Sequence, residues 1–277
     1  MTQNVTQLPR SGTVAANGQQ LYYEIHGEGP PLVLVMGIGY DSSLWTLGQV
    51  PALSRRFQVV ILDNRDVGRS SAVSTPYTIA DMADDLAGLL DALEIQQTHV
   101  LGLSMGAMIA QEFALRHANR IDRLVLTGTG GAPARSAFDP IRTWSWVKAN
   151  DATGEAFVGQ QFTWLFSTAF LRNPEAVQQT ITLLASNPNP MTPEAYERQA
   201  QAYLQFDSLD RLGGITAPTL VIVGEQDLLT PPWIAREVAD AIPDARFEVI
   251  RGEGSSHVVP IERPDDFNQL VSNFLAG

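Results

Sequence analysis

The pentapeptide Gly102-Leu103-Ser104-Met105-Gly106 joins an apolar run, residues 98–103, to a segment with helical spacing, residues 105–117. A serine at a sharp strand-to-helix turn is held in a strained backbone conformation, and only small flanking residues let the two arms of the turn pass closely. Gly102 and Gly106 meet that need, so the pattern reads as a nucleophile elbow. A serine hydroxyl is a poor nucleophile at neutral pH; it needs a base in contact, and the base needs a partner that fixes its tautomer. Both are available downstream. Gly224-Glu225-Gln226-Asp227 follows the apolar run 219–223, and Gly254-Ser255-Ser256-His257 follows the run 246–250. Acid and base thus come after the serine, each just past a strand, where the active sites of open α/β sheets gather.

Asp227 is preferred to Glu225 as the acid because it lies further into its loop, whereas Glu225 is close enough to the strand end to be structural. Of the four histidines, His257 alone sits in a Gly/Ser-rich loop after a late strand; His26 and His99 lie in or beside strands, and His117 ends a helix, where a cation suits the dipole. Acyl transfer also needs donors for an oxyanion, and losing one costs roughly 2.7 to 4 kcal/mol of transition-state stabilisation. The backbone amide of Met105 is one choice. The amide of Ile38, in the turn Gly37-Ile38-Gly39 after the run 32–36, is the other.

Composition removes several competing chemistries. The 277 residues contain no cysteine, which excludes thiol nucleophiles, disulfides and thiolate metal sites. Lysine occurs once, at Lys148, in a stretch that looks helical, so a Ser-Lys pair or a Schiff base could rest on that residue alone; no His-Glu-x-x-His pattern places two ligands on one helix face, so no metal is expected. Ser42 occupies the third glycine position after Gly37 and Gly39, and there is no Walker-type Gly-Lys-Ser/Thr, so no nucleotide cofactor is expected. A formal net charge of -12 without a basic patch argues against nucleic acid as a partner. No segment approaches the roughly 18 to 20 apolar residues of a membrane span, and residues 1–12 carry no apolar signal region. The expectation is a soluble, cytoplasmic protein with no membrane partner, of open oligomeric state.

With 44% hydrophobic and 17% charged residues, the chain can bury one large core. Strands are expected at 12–15 and 20–26 around an Asn17-Gly18 hairpin turn, then as short continuous apolar runs at 32–36, 57–62, 98–103, 124–127, 219–223 and 246–250. The helical pattern is clearest over 78–95, where Ile79, Met82, Leu86, Leu89, Leu90 and Leu93 recur at three- and four-residue steps and Thr78 with Asp81 resembles a capping box. Alternating strands and helices predict a doubly wound sheet. The alternation breaks between about 132 and 216, which reads as a helical cap inserted after a core strand, leaving 1–131 and 217–277 as the core. The first part of that insert is rich in aromatics: Phe138, Trp144, Trp146, Phe157, Phe162, Trp164, Phe166 and Phe170. Some form the insert's own core, and Trp144, Trp164 and Phe166 are the candidates for lining an apolar substrate pocket.

These motifs together resemble the α/β-hydrolase superfamily over essentially the whole chain. The match comprises Met36-Gly37-Ile38-Gly39, the loop Asp63-Asn64-Arg65-Asp66-Val67-Gly68-Arg69-Ser70, the elbow, Gly224 to Asp227, and His257 followed by Glu262-Arg263-Pro264. The stretch from Gly102 to Gln111 is similar to 3-oxoadipate enol-lactonases and small carboxylesterases, while Met36-Gly37 and Arg65-Asp66 are more like aclacinomycin-type methylesterases. Met36, Asp66 and Ser256 stand where the family commonly has histidine, glycine and glycine, and none of these departures removes a catalytic group. The resemblance implies an eight-stranded, mostly parallel sheet flanked by helices, and a cofactor-free serine hydrolase acting on a small-molecule ester or lactone with an apolar group. Ser104 is then the nucleophile, His257 the base and Asp227 its partner. Carbon-carbon bond hydrolysis or perhydrolysis on the same triad stays open, as does a ligand-sensing protein that keeps a hydrolase pocket.

Overall fold

A computed structural model describes residues 10–136, 139–151 and 153–277. The N-terminal stretch before Arg10, and Phe138 among the aromatics, lie outside the described residues. The chain opens with strands β1 (Arg10–Ala16), β2 (Gln19–His26) and β3 (Pro31–Val35), then helix α1 (Gln49–Leu53) and β4 (Gln58–Leu62). Helix α2 (Ile79–Ala92), β5 (Thr98–Leu103), α3 (Met105–Arg116) and β6 (Ile121–Thr127) follow. Next come α4 (Pro140–Asn150), α5 (Glu155–Leu165), α6 (Thr168–Leu171), α7 (Pro174–Ala185) and α8 (Pro193–Leu204), with no strand among the described residues between β6 and the next strand. The chain closes with β7 (Thr219–Gly224), α9 (Pro232–Ala241), β8 (Arg246–Ile250), α10 (Val259–Glu262) and α11 (Pro264–Leu275).

The eight strands form one sheet in the order β1-β2-β4-β3-β5-β6-β7-β8. β1 pairs antiparallel with β2 and β2 with β4; every other pairing is parallel. The hairpin turns through Asn17 and Gly18, both at positive φ (46° and 74°), as its turn type requires. Alternation along the strands divides the apolar residues between two cores. Val33, Val35, Val60, Val100, Val221 and Val223 face α2, α3 and α9, whereas Leu32, Leu34, Ile61, Leu101, Leu220 and Ile222 face α1 and α11. Each such side chain contributes on the order of 1.5–3 kcal/mol by leaving water, and this pins the register, since a one-residue slip would exchange the faces.

Helix α2 begins as its sequence suggests, with Thr78 Oγ1 accepting from the Asp81 amide and Asp81 returning a bond to the Thr78 amide. The helices between β6 and β7 extend the first core: Ile141, Trp144, Phe157, Phe162, Ala195 and Tyr196 are buried in it. They lie over the C-terminal ends of the parallel strands, where Gly39, Tyr40 and the loop after β4 meet them. No helix of the described residues is long and apolar enough to cross a membrane.

Candidate active site

Four strand ends supply the site. At the end of β5, Ser104 has φ 57° and ψ −123°, outside the favoured regions for a side-chain-bearing residue, at a cost of order 1–3 kcal/mol. The surroundings enforce it: the Ser104 amide donates to Thr127 O at 2.9 Å, and its carbonyl accepts from the Ala107 amide at 2.9 Å. A Cβ on Gly102 would lie 2.3 Å from Gly106 O, and one on Gly106 would lie 2.1 Å from Val35 O. The elbow therefore packs backbone against backbone, and α3 starts on Ser104 with no side-chain capping bond from it. The Met105 amide is among the first helical donors, which have no partner within the helix.

Past β7, the turn bonds Glu225 N to Ile250 O and Gln226 N to Ser255 O, at 2.9 and 2.8 Å, and brings Asp227 inward to 2% exposure. Asp227 Oδ1 accepts from the amides of Leu229 and Thr230 at 2.9 and 2.8 Å, and Oδ2 from Thr230 Oγ1 at 2.8 Å. His257, also 2% exposed, presents Nδ1 to both carboxylate oxygens, 2.9 Å from Oδ2 and 3.1 Å from Oδ1. Thr230 Oγ1 also lies 3.2 Å from Nδ1, but its proton goes to Asp227 Oδ2, so the oxygens around Nδ1 accept, Nδ1 carries the proton and Nε2 is left as the lone-pair nitrogen. Nε2 is buried and makes no hydrogen bond among the described residues. Glu225 turns to solvent, pairing with Arg251 at 2.8 Å and the Gly252 amide at 3.0 Å. These two contacts, the amide first, hold its carboxyl below the usual range. Of the two acids weighed on sequence, the structure brings Asp227 to the histidine.

The loop after β3 closes the site. A Cβ on Gly37 would stand 3.1 Å from Ser104 Cβ, so this backbone rests on the serine, and Asn64 Nδ2 donates to Met36 O at 3.1 Å to hold it there. Ile38, the next residue, is buried. Ser104 and His257 open into an apolar cavity of about 140 Å³ walled by Met36, Ile38, Trp144, Leu165, Phe166 and Phe170. Tyr40, Leu44, Leu47, Leu183 and Leu184 wall both this cavity and a wider outer chamber of about 650 Å³.

Of the three aromatics put forward for the pocket, Trp144 and Phe166 line it and Trp164 does not. Trp164 sits next to Leu165 on α5, about 100° around the helix from it, and packs half-buried against the core. Phe170 takes part through its stack on Phe166, with ring centroids 4.2 Å apart. Residues whose role the sequence does not show also shape the site. Ser256, which stands where the family commonly has glycine, donates its hydroxyl to Glu262; that carboxylate also accepts from the Ser167 amide and hydroxyl at 2.9 and 2.6 Å. The histidine loop is thereby tied to the helical segment, as it is again by Val258 N to Leu165 O at 3.2 Å.

Strand order, elbow and loop positions are those of a known fold. The chain belongs to the alpha/beta hydrolase fold family, whose model matches residues 30–264, and it is a hydrolase of that family. It is similar to the protein named "Putative carbamate hydrolase RutD" of Caulobacter sp. strain K31, with 32% identity over 97% of this chain and 98% of that one. The enol-lactonase from Burkholderia xenovorans LB400 superposes with a TM-score of 0.83 at 32% identity, covering 96% of this chain and 100% of that one. A structure titled as the "Putative non-heme bromoperoxidase BpoC" from Mycobacterium tuberculosis H37Rv gives 0.79 at 29% identity, over 92% and 95% of the two chains. These relatives share the fold and differ in the reaction for which they are named.

Proposed function

We propose that the protein hydrolyses carboxylic esters and lactones bearing an apolar group, through an acyl-enzyme on Ser104. The observation that carries this reading is the junction of a strained serine and a histidine fixed by Asp227 at 2.9 Å, both opening into one apolar cavity. Ser104 Oγ attacks the carbonyl carbon while His257 Nε2 takes the hydroxyl proton, and Asp227 stabilises the imidazolium so formed. The tetrahedral oxyanion accepts from the Ile38 and Met105 amides. Collapse expels the alkoxide, protonated by His257; water, deprotonated by the same nitrogen, then attacks the acyl carbon, and the second collapse breaks the bond to Ser104 Oγ, which takes that proton back from His257 as the acid leaves. A lactone follows the same steps with its leaving hydroxyl kept on the acyl chain. The pocket walls supply no buried charge, which favours an apolar group beside the scissile bond.

Fluorophosphonate labelling together with turnover of a panel holding p-nitrophenyl esters, an enol-lactone, a carbamate and a vinylogous diketone tests the assignment. The label should map to Ser104, esters and lactones should turn over fastest, and Ser104→Ala should lose at least about 10³-fold in kcat with the fold unchanged. Undiminished ester turnover by Ser104→Ala, or a diketone preferred over every ester, would overturn it.

A further inference from the structure

The loop that carries the Ile38 amide is bonded to the helical segment at each of the next three residues. The Gly39 amide donates to Gln199 Oε1 on α8 at 3.0 Å, the Tyr40 hydroxyl donates to Gln161 Oε1 on α5, and Asp41 Oδ2 accepts from Asn187 Nδ2 at 2.7 Å. Gln199 differs from the other two because it bonds the backbone of the turn rather than a side chain, and because the other end of its amide reaches a second loop of the core. Its Nε2 donates to Arg65 O at 3.2 Å, in the loop after β4, and the residue is 0% exposed. A backbone N–H can only donate and a carbonyl can only accept, so these two contacts fix which way the amide faces. The contact is also close-packed: Gly39 has φ +79°, and a Cβ there would lie 2.8 Å from the buried Tyr196 ring.

Resting on the ester-hydrolase reading above, we infer that Gln199 is a positioning residue for the oxyanion donor. Its side chain holds the peptide between Ile38 and Gly39, which sets the Ile38 backbone and so the direction of the Ile38 N–H. The same bond occupies the Gly39 N–H, so that this amide does not compete with Ile38 for an oxyanion. Donors act in catalysis only when aimed at the place where charge develops, and aim lost by about an ångström forfeits much of the effect. Gln199 brings that aim from α8, 160 residues along the chain. A helical segment that shapes the pocket therefore also completes the electrostatics of the reaction.

The test compares Gln199→Met, which keeps length and loses both bonds, Gln199→Glu, which keeps the acceptor for Gly39, and Arg198→Met. Arg198 lies on the same helix and pairs with Asp66 at 2.9 Å, so its loss weakens α8 docking without touching the oxyanion turn. Kinetics on a p-nitrophenyl ester are read beside the affinity for an alkylboronic acid, a tetrahedral mimic, and for the alcohol product. Gln199→Met should lose about 10- to 100-fold in kcat with KM within about twofold, and should bind the boronic acid more weakly by a similar factor while binding the alcohol as before. Gln199→Glu should recover most of kcat, and Arg198→Met should lower Tm with kcat unchanged. Equal losses in Gln199→Met and Arg198→Met, or unchanged boronic acid affinity in both Gln199 variants, would overturn the inference. Should Gln199→Met fail to fold, a Gln199→Glu variant with the wild-type KM and a fallen kcat and boronic acid affinity overturns the claim that the Gly39 acceptor is what matters. Wild-type protein that neither turns over esters nor takes the fluorophosphonate label would remove the underlying reading itself, an outcome separate from any of these.

Discussion

The Asp227 carboxylate accepts two amides on Oδ1 and a hydroxyl on Oδ2, so its plane is set before His257 Nδ1 meets it. A group held this rigidly can fix a tautomer, which a freely rotating carboxylate could not. Asp227→Asn makes the point testable. The carboxamide keeps the shape but must place its NH2 either against the Thr230 donors or against Nδ1, and the second choice forces the imidazole proton onto Nε2. We expect kcat on esters to fall about 10⁴-fold with little change in KM or Tm, measured by steady-state kinetics and thermal melting; a loss below about tenfold would mean that the acid does not set the tautomer. That Ser104 and His257 meet at one cavity, with Asp227 behind the histidine, was legible in the sequence because few residue types suit a nucleophile, an acid and a base and each follows a recognisable strand. The parts of Thr230 and Gln199 were not, since they depend on neighbours supplied by the fold: Gln199 bonds a residue 160 positions away. A threonine or glutamine in the sequence carries no sign of which polar group it will meet.

At the scale of elements, the parallel strands were readable because burial on both faces leaves continuous apolar runs, as in β3, β5 and β7. β6 starts three residues before the run at 124–127, since Asp122 and Arg123 occupy its open beginning, and the five-residue α1, with Pro51 inside it, has no period to detect. Within the helical segment, aromatic content could not separate Phe166, which meets the cavity, from Trp164, which does not. That segment is also uneven in its anchorage. α8 buries Ala195, Tyr196, Gln199, Ala200, Ala202, Tyr203 and Leu204, whereas α7 buries no residue although Thr180, Leu183 and Leu184 wall the cavity. Elements with few buried contacts open at low free energy, and a pocket wall is where such opening admits ligand. In amide hydrogen exchange, α7 should exchange faster than α8, and α7 should slow when a phosphonate with an apolar chain is attached at Ser104. Protection of α7 equal to that of α3, whose first ten residues are buried, would show that this wall is fixed and that ligands reach Ser104 another way.

For the molecule as a whole, one buried titratable group sits in the middle of the sheet. His99 lies on β5, the fifth strand of eight in sheet order, 4% exposed, with its ring edge-on to Phe57 at a centroid distance of 5.8 Å. Its Nδ1 approaches Asp122 Oδ2 at 3.4 Å without hydrogen-bond geometry, and Asp122 is exposed. Burial is the main influence and holds the imidazole pKa below the ordinary histidine value; Asp122 works against this and Arg123 with it. A folded-state pKa below the unfolded one means that the unfolded chain takes up the proton first. Stability from this residue is therefore complete above the unfolded value, about 6.5, and is lost as pH falls below it toward the lowered folded value. His99→Leu removes the proton site and keeps an apolar contact with Phe57. Every other titrating group is common to both proteins, so the difference between their melting curves isolates this one. The drop in Tm from about pH 7.5 to about pH 5.5 should be larger in the wild type than in His99→Leu, by differential scanning calorimetry at fixed ionic strength, because roughly 1.4 kcal/mol accompanies each unit of difference between folded and unfolded pKa. Equal drops would mean that His99 takes its proton as readily in the folded sheet as in the unfolded chain, and that the acid sensitivity of this fold arises elsewhere.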